Sequence, residues 1–134
     1  MKEYVFERAK SSLEKARRMA EAFRDGGFFN FSVFATHLTN SVSLAAGLLT
    51  GPEHDGFETH EVLKQVLDAK GFDPGSYETF FFIKGLGSKQ LKKHSRGLTF
   101  TDLKNSKTLS AQDLMLFVDN AEDFLKGITS SLKL

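Results

Sequence analysis

The sequence predicts an all-α fold: an antiparallel helical bundle of four long helices plus one short helix, in a single domain spanning residues 1–134. Three observations predict it. Apolar residues recur at steps of three and four through several long segments, which is the period of one helix face. Capping residues, Gly and Pro stand between those segments. Most connections are short, which makes successive helices antiparallel. No stretch of useful length alternates with period two. "TFFFI", Thr79 to Ile83, has a strand's composition, but its surroundings read as helical.

Residues 2–25 form the first predicted helix. Phe6, Ala9, Leu13, Ala16, Ala20 and Phe23 make one apolar stripe, and charged residues fill the other faces. "RDGG" ends it, because Gly26 or Gly27 accepts the left-handed conformation of a helix C-terminus. Asn30 is the expected N-cap of the second helix, which runs to about Thr50 and is stopped by Gly51 and Pro52. Its stripe is Phe31, Phe34, Leu38, Val42, Ala45 and Leu49, widened by Ala35, Ala46 and Leu48. With almost no charge on any side, this helix is expected at the bundle centre or against a second subunit.

Thr59 caps a short third helix, "HEVLKQVLDAKG", with Val62, Leu63, Val66 and Leu67 inward and Gly71 at its end. Ser76 caps a fourth, from about Tyr77 to Ser95, with Phe80, Phe81, Ile83 and Leu91 inward. Each glycine of "KGLGSK" weakens that helix by roughly 1 kcal/mol, so a kink or break is expected there. Residues 96–109 read as a loop. Ser110 and Asp113 match the S/T-x-x-D/E helix start, and the last helix, 111 to about 132, buries Leu114, Phe117, Val118, Ala121, Phe124, Leu125 and Ile128.

Composition narrows the function classes. A chain of 134 residues buries about two thirds of its unfolded surface. With 14 Phe, 2 Tyr and no Trp, its large core residues are almost all Phe. The absence of cysteine excludes disulfides and thiolate metal sites and fits a reducing, cytoplasmic setting. The opening "MKEYVFERAK" is charged from Lys2 onward and lacks the apolar core of a signal peptide. The apolar stretch Ser32 to Gly51 is not read as crossing a membrane, because Thr36, His37, Thr39, Asn40, Ser41 and Ser43 occupy its middle.

A net charge of +1 conceals a segregation. Lys84 to Lys107 holds seven bases (Lys84, Lys89, Lys92, Lys93, Arg96, Lys104 and Lys107) against one acid, Asp102, a local charge of +6. The rest of the chain, with eleven bases and sixteen acids, carries −5. A basic segment on an acidic body is a directed field and implies an anionic partner.

Three stretches resemble the HEPN domain, a family of small helical proteins. "ERAKSSLEKARRMAEAFRDGGFFNFSVFATHLTNSVSLAAGLL" is similar to its first helix, glycine turn and packed second helix. "THEVLKQVLDAKGF" is similar to its Thr-His helix start, and "LSAQDLMLFVDNAEDFLKGI" to its closing helix. The resemblance implies a helical bundle that pairs as a homodimer. It also implies a minimal nucleotidyltransferase partner, or nucleotide or RNA binding. A subset of the family are metal-independent ribonucleases that use an Arg-x4-6-His motif. This chain departs from that motif: after Arg96 the matching position is Asp102, which cannot supply a neutral imidazole for proton transfer.

The candidate residues follow. Lys89, Lys92, Lys93, His94 and Arg96 form an anion-binding run, with most bases on one side if the helix persists. The competing reading is a solvated helix end whose cations favour the C-terminal dipole. His37 and Asn40 share a helix face and form a polar patch that could contact a ligand or partner, read chiefly as a pair satisfied by backbone carbonyls or the neighbouring helix, or across a dimer interface. His60 reads as a surface histidine at a helix start, and His54 as at most an adventitious cation contact. No spacing suggests a catalytic set, a metal site or a cofactor. The expected function is therefore a non-catalytic binding module for nucleotide, RNA or a nucleotidyltransferase, acting through residues 84–107. The alternative is a divergent ribonuclease of toxin–antitoxin type that uses Arg96 with His94 or His37.

Overall fold

The computed structural model describes residues 2–50, 65, 67–69, 71–72, 82–83, 86, 89–94, 97–101 and 106–132. Three long helices, α1 (Lys2–Arg24), α2 (Phe31–Thr50) and α3 (Ala111–Leu132), pack on one another. Between α2 and α3 the chain forms three strands, β1 (Gln90–His94), β2 (Gly97–Thr101) and β3 (Ser106–Leu109), in one antiparallel sheet of order β1-β2-β3. The fold is thus mostly helical with a small sheet. The all-α bundle of four long helices, expected from periodicity, is incorrect. Of the helix expected over 77–95, Phe82, Ile83 and Leu86 are helical while residues 90–94 form β1, and the loop expected over 96–109 contains β2 and β3.

Local chemistry explains why the helix ends fall where the sequence places them. At the end of α1, Gly26 adopts φ +82°. Its N–H donates to Phe23 C=O at 3.2 Å, and the N–H of Gly27 donates to Ala22 C=O at 2.7 Å. These two bonds are the Schellman pair, which satisfies carbonyls the last helical turn leaves open. Asn30 caps α2: its Oδ1 accepts from Val33 N–H at 3.1 Å. The start of α3 is a reciprocal capping box. Asp113 Oδ2 accepts from Ser110 N–H at 2.8 Å, and Ser110 Oγ accepts from Asp113 N–H at 3.2 Å. Gly71, with φ +84°, ends a further helical turn by the same Schellman geometry as Gly26. Phe72, which follows it, packs on Phe124 with ring centroids 5.3 Å apart.

The core is built from the predicted stripes. Phe6, Ala9, Leu13, Ala16 and Ala20 of α1 are buried, as are Phe31, Phe34, Leu38, Val42, Ala45 and Ala46 of α2. From α3 come Leu114, Val118, Ala121, Phe124, Leu125 and Ile128, while Phe117 is half-buried. Alanines on α1 and α2 allow the two backbones close approach, and each buried Phe or Leu contributes about 1.5–3 kcal/mol. α1 and α3 are also joined by charge: Arg17 donates to Asp119 at 3.1 Å and to Glu122.

Helix α2 is not surrounded on all sides. Ser32, Val33, Thr36 and Asn40 lie exposed along one face. Thr36 and Thr39 hydroxyls each donate at 2.8 Å to the carbonyl four residues back, Ser32 and Ala35. An apolar helix carries threonines this way at little cost, because the hydroxyl is satisfied by its own helix.

The sheet adds Leu98, Phe100 and Leu109 to the core. These three share one face of the sheet by register, since Leu98 pairs with Leu109 and Phe100 lies two residues along β2. Phe31 meets Phe100 edge-on at 4.7 Å, which fixes the sheet to the start of α2. Gly97 opens β2 at a point where an added Cβ would collide with the Leu109 carbonyl oxygen.

Two outcomes follow for stability. Gly97→Ala forces the β2–β3 backbones apart and is expected to cost roughly 1–3 kcal/mol in chemical denaturation. Ser110→Ala removes one half of the α3 capping box and is expected to cost about 1 kcal/mol, with Ser110→Thr close to wild type.

Candidate nucleic-acid interface

The basic run lies on a strand rather than a helix, and this redistributes its charges. Successive side chains of a strand point to opposite faces. In β1, Leu91 pairs with Phe100 and Lys93 with Leu98, so both lie on the face that β2 turns to the core. Lys92 pairs with Thr99, which pairs with Thr108, so it lies on the outer face. Lys92 and Lys93, which a helix would have turned to a common side, therefore lie on opposite faces. Lys92 is exposed among hydroxyls: Thr99 and Thr108 share a hydrogen bond of 3.0 Å beside it, and Thr101 and Ser106 continue the row. His94 pairs with Gly97 at the end of β1, and Arg96 lies outside the described residues.

β1 is an edge strand, which lets a lysine occupy its inner face. Lys93 leaves the sheet and reaches the turn between α1 and α2. Its Nζ donates to Phe29 C=O at 3.4 Å and stands 5.9 Å and 6.0 Å from the ring centroids of Phe23 and Phe28. Each such cation–π contact at an exposed site contributes about 0.5–1 kcal/mol. Arg24, at the same turn, is committed elsewhere: it donates to both carboxylate oxygens of Asp25, at 3.0 Å and 3.4 Å. Those hydrogen bonds, with the guanidinium's charge, hold the Asp25 carboxyl below its usual range.

The turn residues divide sharply. Phe29 is 5% exposed and packs between Phe23 and Phe34, at 4.8 Å and 5.6 Å. Phe28, its neighbour, is 85% exposed. No periodicity or motif in the sequence singles out Phe28. The available signal was "GGFFN": two aromatics after a tight glycine turn, of which the chain direction lets one enter the core.

Beside this turn a groove of about 350 Å³ runs between α2 and the sheet. Phe31, Ala35, Ile83, Leu86 and Phe100 give it an apolar lining, with Ser32, Thr36 and Thr39 on one wall and Lys89 and Leu91 on the other. Lys89, Leu91 and Lys93 thus follow one another at alternate positions, two from the groove to the aromatic turn. Lys107, on β3, is exposed at the sheet's other edge.

The larger cleft, about 490 Å³ between α1 and α3, has the opposite character. Glu3, Glu7, Glu14 and Glu122 rim it, with Lys10, Arg17 and Lys126 among them. Arg17 is held by Asp119 and Glu122, and Lys126 lies 3.6 Å from Glu122. An anion gains nothing from cations already paired in this way.

The His37 and Asn40 patch is not interior: His37 is half-buried and Asn40 is exposed. The buried polar side chain on α2 is instead Ser41, whose Oγ is the one buried side-chain polar atom without a hydrogen-bond partner among the described residues. His54 and His60 lie outside the described residues. Among the described residues no three His, Cys, Asp or Glu side chains are grouped to hold a metal ion. Among them, too, no helix is long and apolar enough to cross a membrane. Comparison with known proteins gives no match to the chain among family models, curated proteins or solved structures.

Proposed function

We propose that this protein is a cytoplasmic, non-catalytic binding module that engages a polyanion, nucleotide or RNA, through the basic segment 84–107. The observation that carries the reading is the charge segregation of this segment, whose strands form a small antiparallel sheet. Seven bases and one acid fall within Lys84 to Lys107, and Lys92, Lys93 and Lys107 are exposed on its two edge strands. The hydroxyls of Thr99, Thr101, Ser106 and Thr108 supply uncharged donors around Lys92, a pairing suited to phosphate oxygens. The acidic remainder of the chain repels the same ligand and so restricts where it lands. The resemblance to HEPN domains extends the proposal to a homodimer and to a nucleotidyltransferase partner.

The proposal has a direct test. Affinity for labelled RNA, read by fluorescence anisotropy, is expected to fall steeply between low and physiological salt. The double variant Lys92→Glu with Lys93→Glu is expected to lose at least about tenfold in affinity at low salt while its circular dichroism spectrum stays that of the wild type. Unchanged affinity in the double variant rules out the sheet as the binding surface.

A further inference from the structure

We infer that the ligand of this surface is a single-stranded nucleic acid, and that Phe28 is the platform on which one of its bases stacks. The inference rests on the polyanion reading above and deepens it.

Three features of the α1–α2 turn carry it. Phe28 is 85% exposed, the most exposed large apolar side chain among the described residues, and it is held on a tightly constrained turn. The Schellman bonds of Gly26 and Gly27 precede it, the buried ring of Phe29 follows it, and Asn30 then caps α2. An aromatic ring fixed in water in this way has a face to offer and loses little conformational freedom on binding. Second, Lys93 Nζ stands 6.0 Å from the Phe28 centroid, so a cation sits within one nucleotide's reach of the ring. A ring for the base with an ammonium for the adjoining phosphate is the pairing by which proteins bind single strands without reading sequence. Third, a further cation lies along the chain from Lys93, Lys89 at the groove beside the turn.

Duplex nucleic acid fits this arrangement less well. Its bases are already stacked on each other, and a lone ring at a turn tip reaches only a base that is free of its neighbours. A membrane surface, the other common partner of an aromatic flanked by lysines, fits less well too. One ring buries too little area to anchor a protein, and Asp25 stands exposed three residues away.

The experiment compares the wild type with Phe28→Ala and Phe28→Tyr in the full chain. The probes are labelled oligo-dT, oligo-U, duplex DNA of equal length, and vesicles containing phosphatidylserine. The expected result has four parts: tighter binding of both single strands than of duplex, a loss of about tenfold for single strands in Phe28→Ala, retention of affinity in Phe28→Tyr, and no change toward duplex. Because Phe28 is exposed, Phe28→Ala gives up little beyond the contact with Lys93, and both variants are expected to stay folded with melting temperatures within a few degrees of the wild type. Single-strand affinity that survives Phe28→Ala overturns the stacking platform; if that affinity still falls in the Lys92→Glu, Lys93→Glu variant, the polyanion reading stands without it. Loss of vesicle binding but not of oligonucleotide binding in Phe28→Ala assigns the ring to a lipid surface and overturns the inference. A wild type that binds no nucleic acid overturns both.

Discussion

A run of phenylalanine rings ties the helical body of this protein to its sheet, and the placement of Lys92 and Lys93 on that sheet depends on it. Phe23 at the end of α1 packs on Phe29, Phe29 on Phe34, Phe34 on Phe31, and Phe31 on Phe100 of β2, with centroid separations of 4.7 to 6.1 Å. The rings are tilted or edge-on to one another, the arrangements their quadrupoles favour. A sheet of three four- and five-residue strands needs a hydrophobic face or a helix packed against it to be stable. It persists because Leu98, Phe100 and Leu109 share a core with the helices, and Phe31 is the ring through which α2 meets β2.

From that anchorage the electrostatics follow. Because β2 turns Leu98 and Phe100 inward, register sends Lys93 of the neighbouring strand toward the α1–α2 turn and Lys92 away from it. A one-residue slip would exchange the two and set a lysine against Phe100. The register therefore decides which cation meets the aromatic turn and which meets the threonine row. The body's charges are treated differently: Arg17, Arg18, Arg24 and Lys126 each lie against a carboxylate. These cations of the helices are thus engaged locally with acids of the same body.

The helical part of this architecture was legible in the sequence, and the sheet was not. Helix ends at Gly26, Asn30, Gly71 and Ser110 are set by side chains and glycines acting within a few residues, so short-range patterns locate them. The stripes of α1, α2 and α3 repeat over five or more turns, long enough for the period to stand out. β1 and β2 span five residues each, and β3 four. "QLKKH" has one apolar residue, and its lysines suit a solvated helix end as well as a strand edge. "GLTFT" does alternate, with Leu98 and Phe100 inward and Thr99 and Thr101 outward, but over too short a span to outweigh a helical context. What settles these segments is non-local: pairing of β2 with both neighbours and burial against Phe31. For the site, the excess of bases was visible in composition, whereas their division between two faces and the exposure of Phe28 required the fold.

The proposed function requires that anionic ligands meet this protein at the sheet and the adjoining turn. Backbone amide chemical-shift mapping during titration with oligo-U tests it most directly. The account predicts shifts confined to the turn around Phe28 and Phe29, to β1 and β2, and to β3 near Lys107. Shifts centred on the acidic α1–α3 cleft around Glu7, Glu14 and Glu122, or none at saturating oligonucleotide, would contradict it.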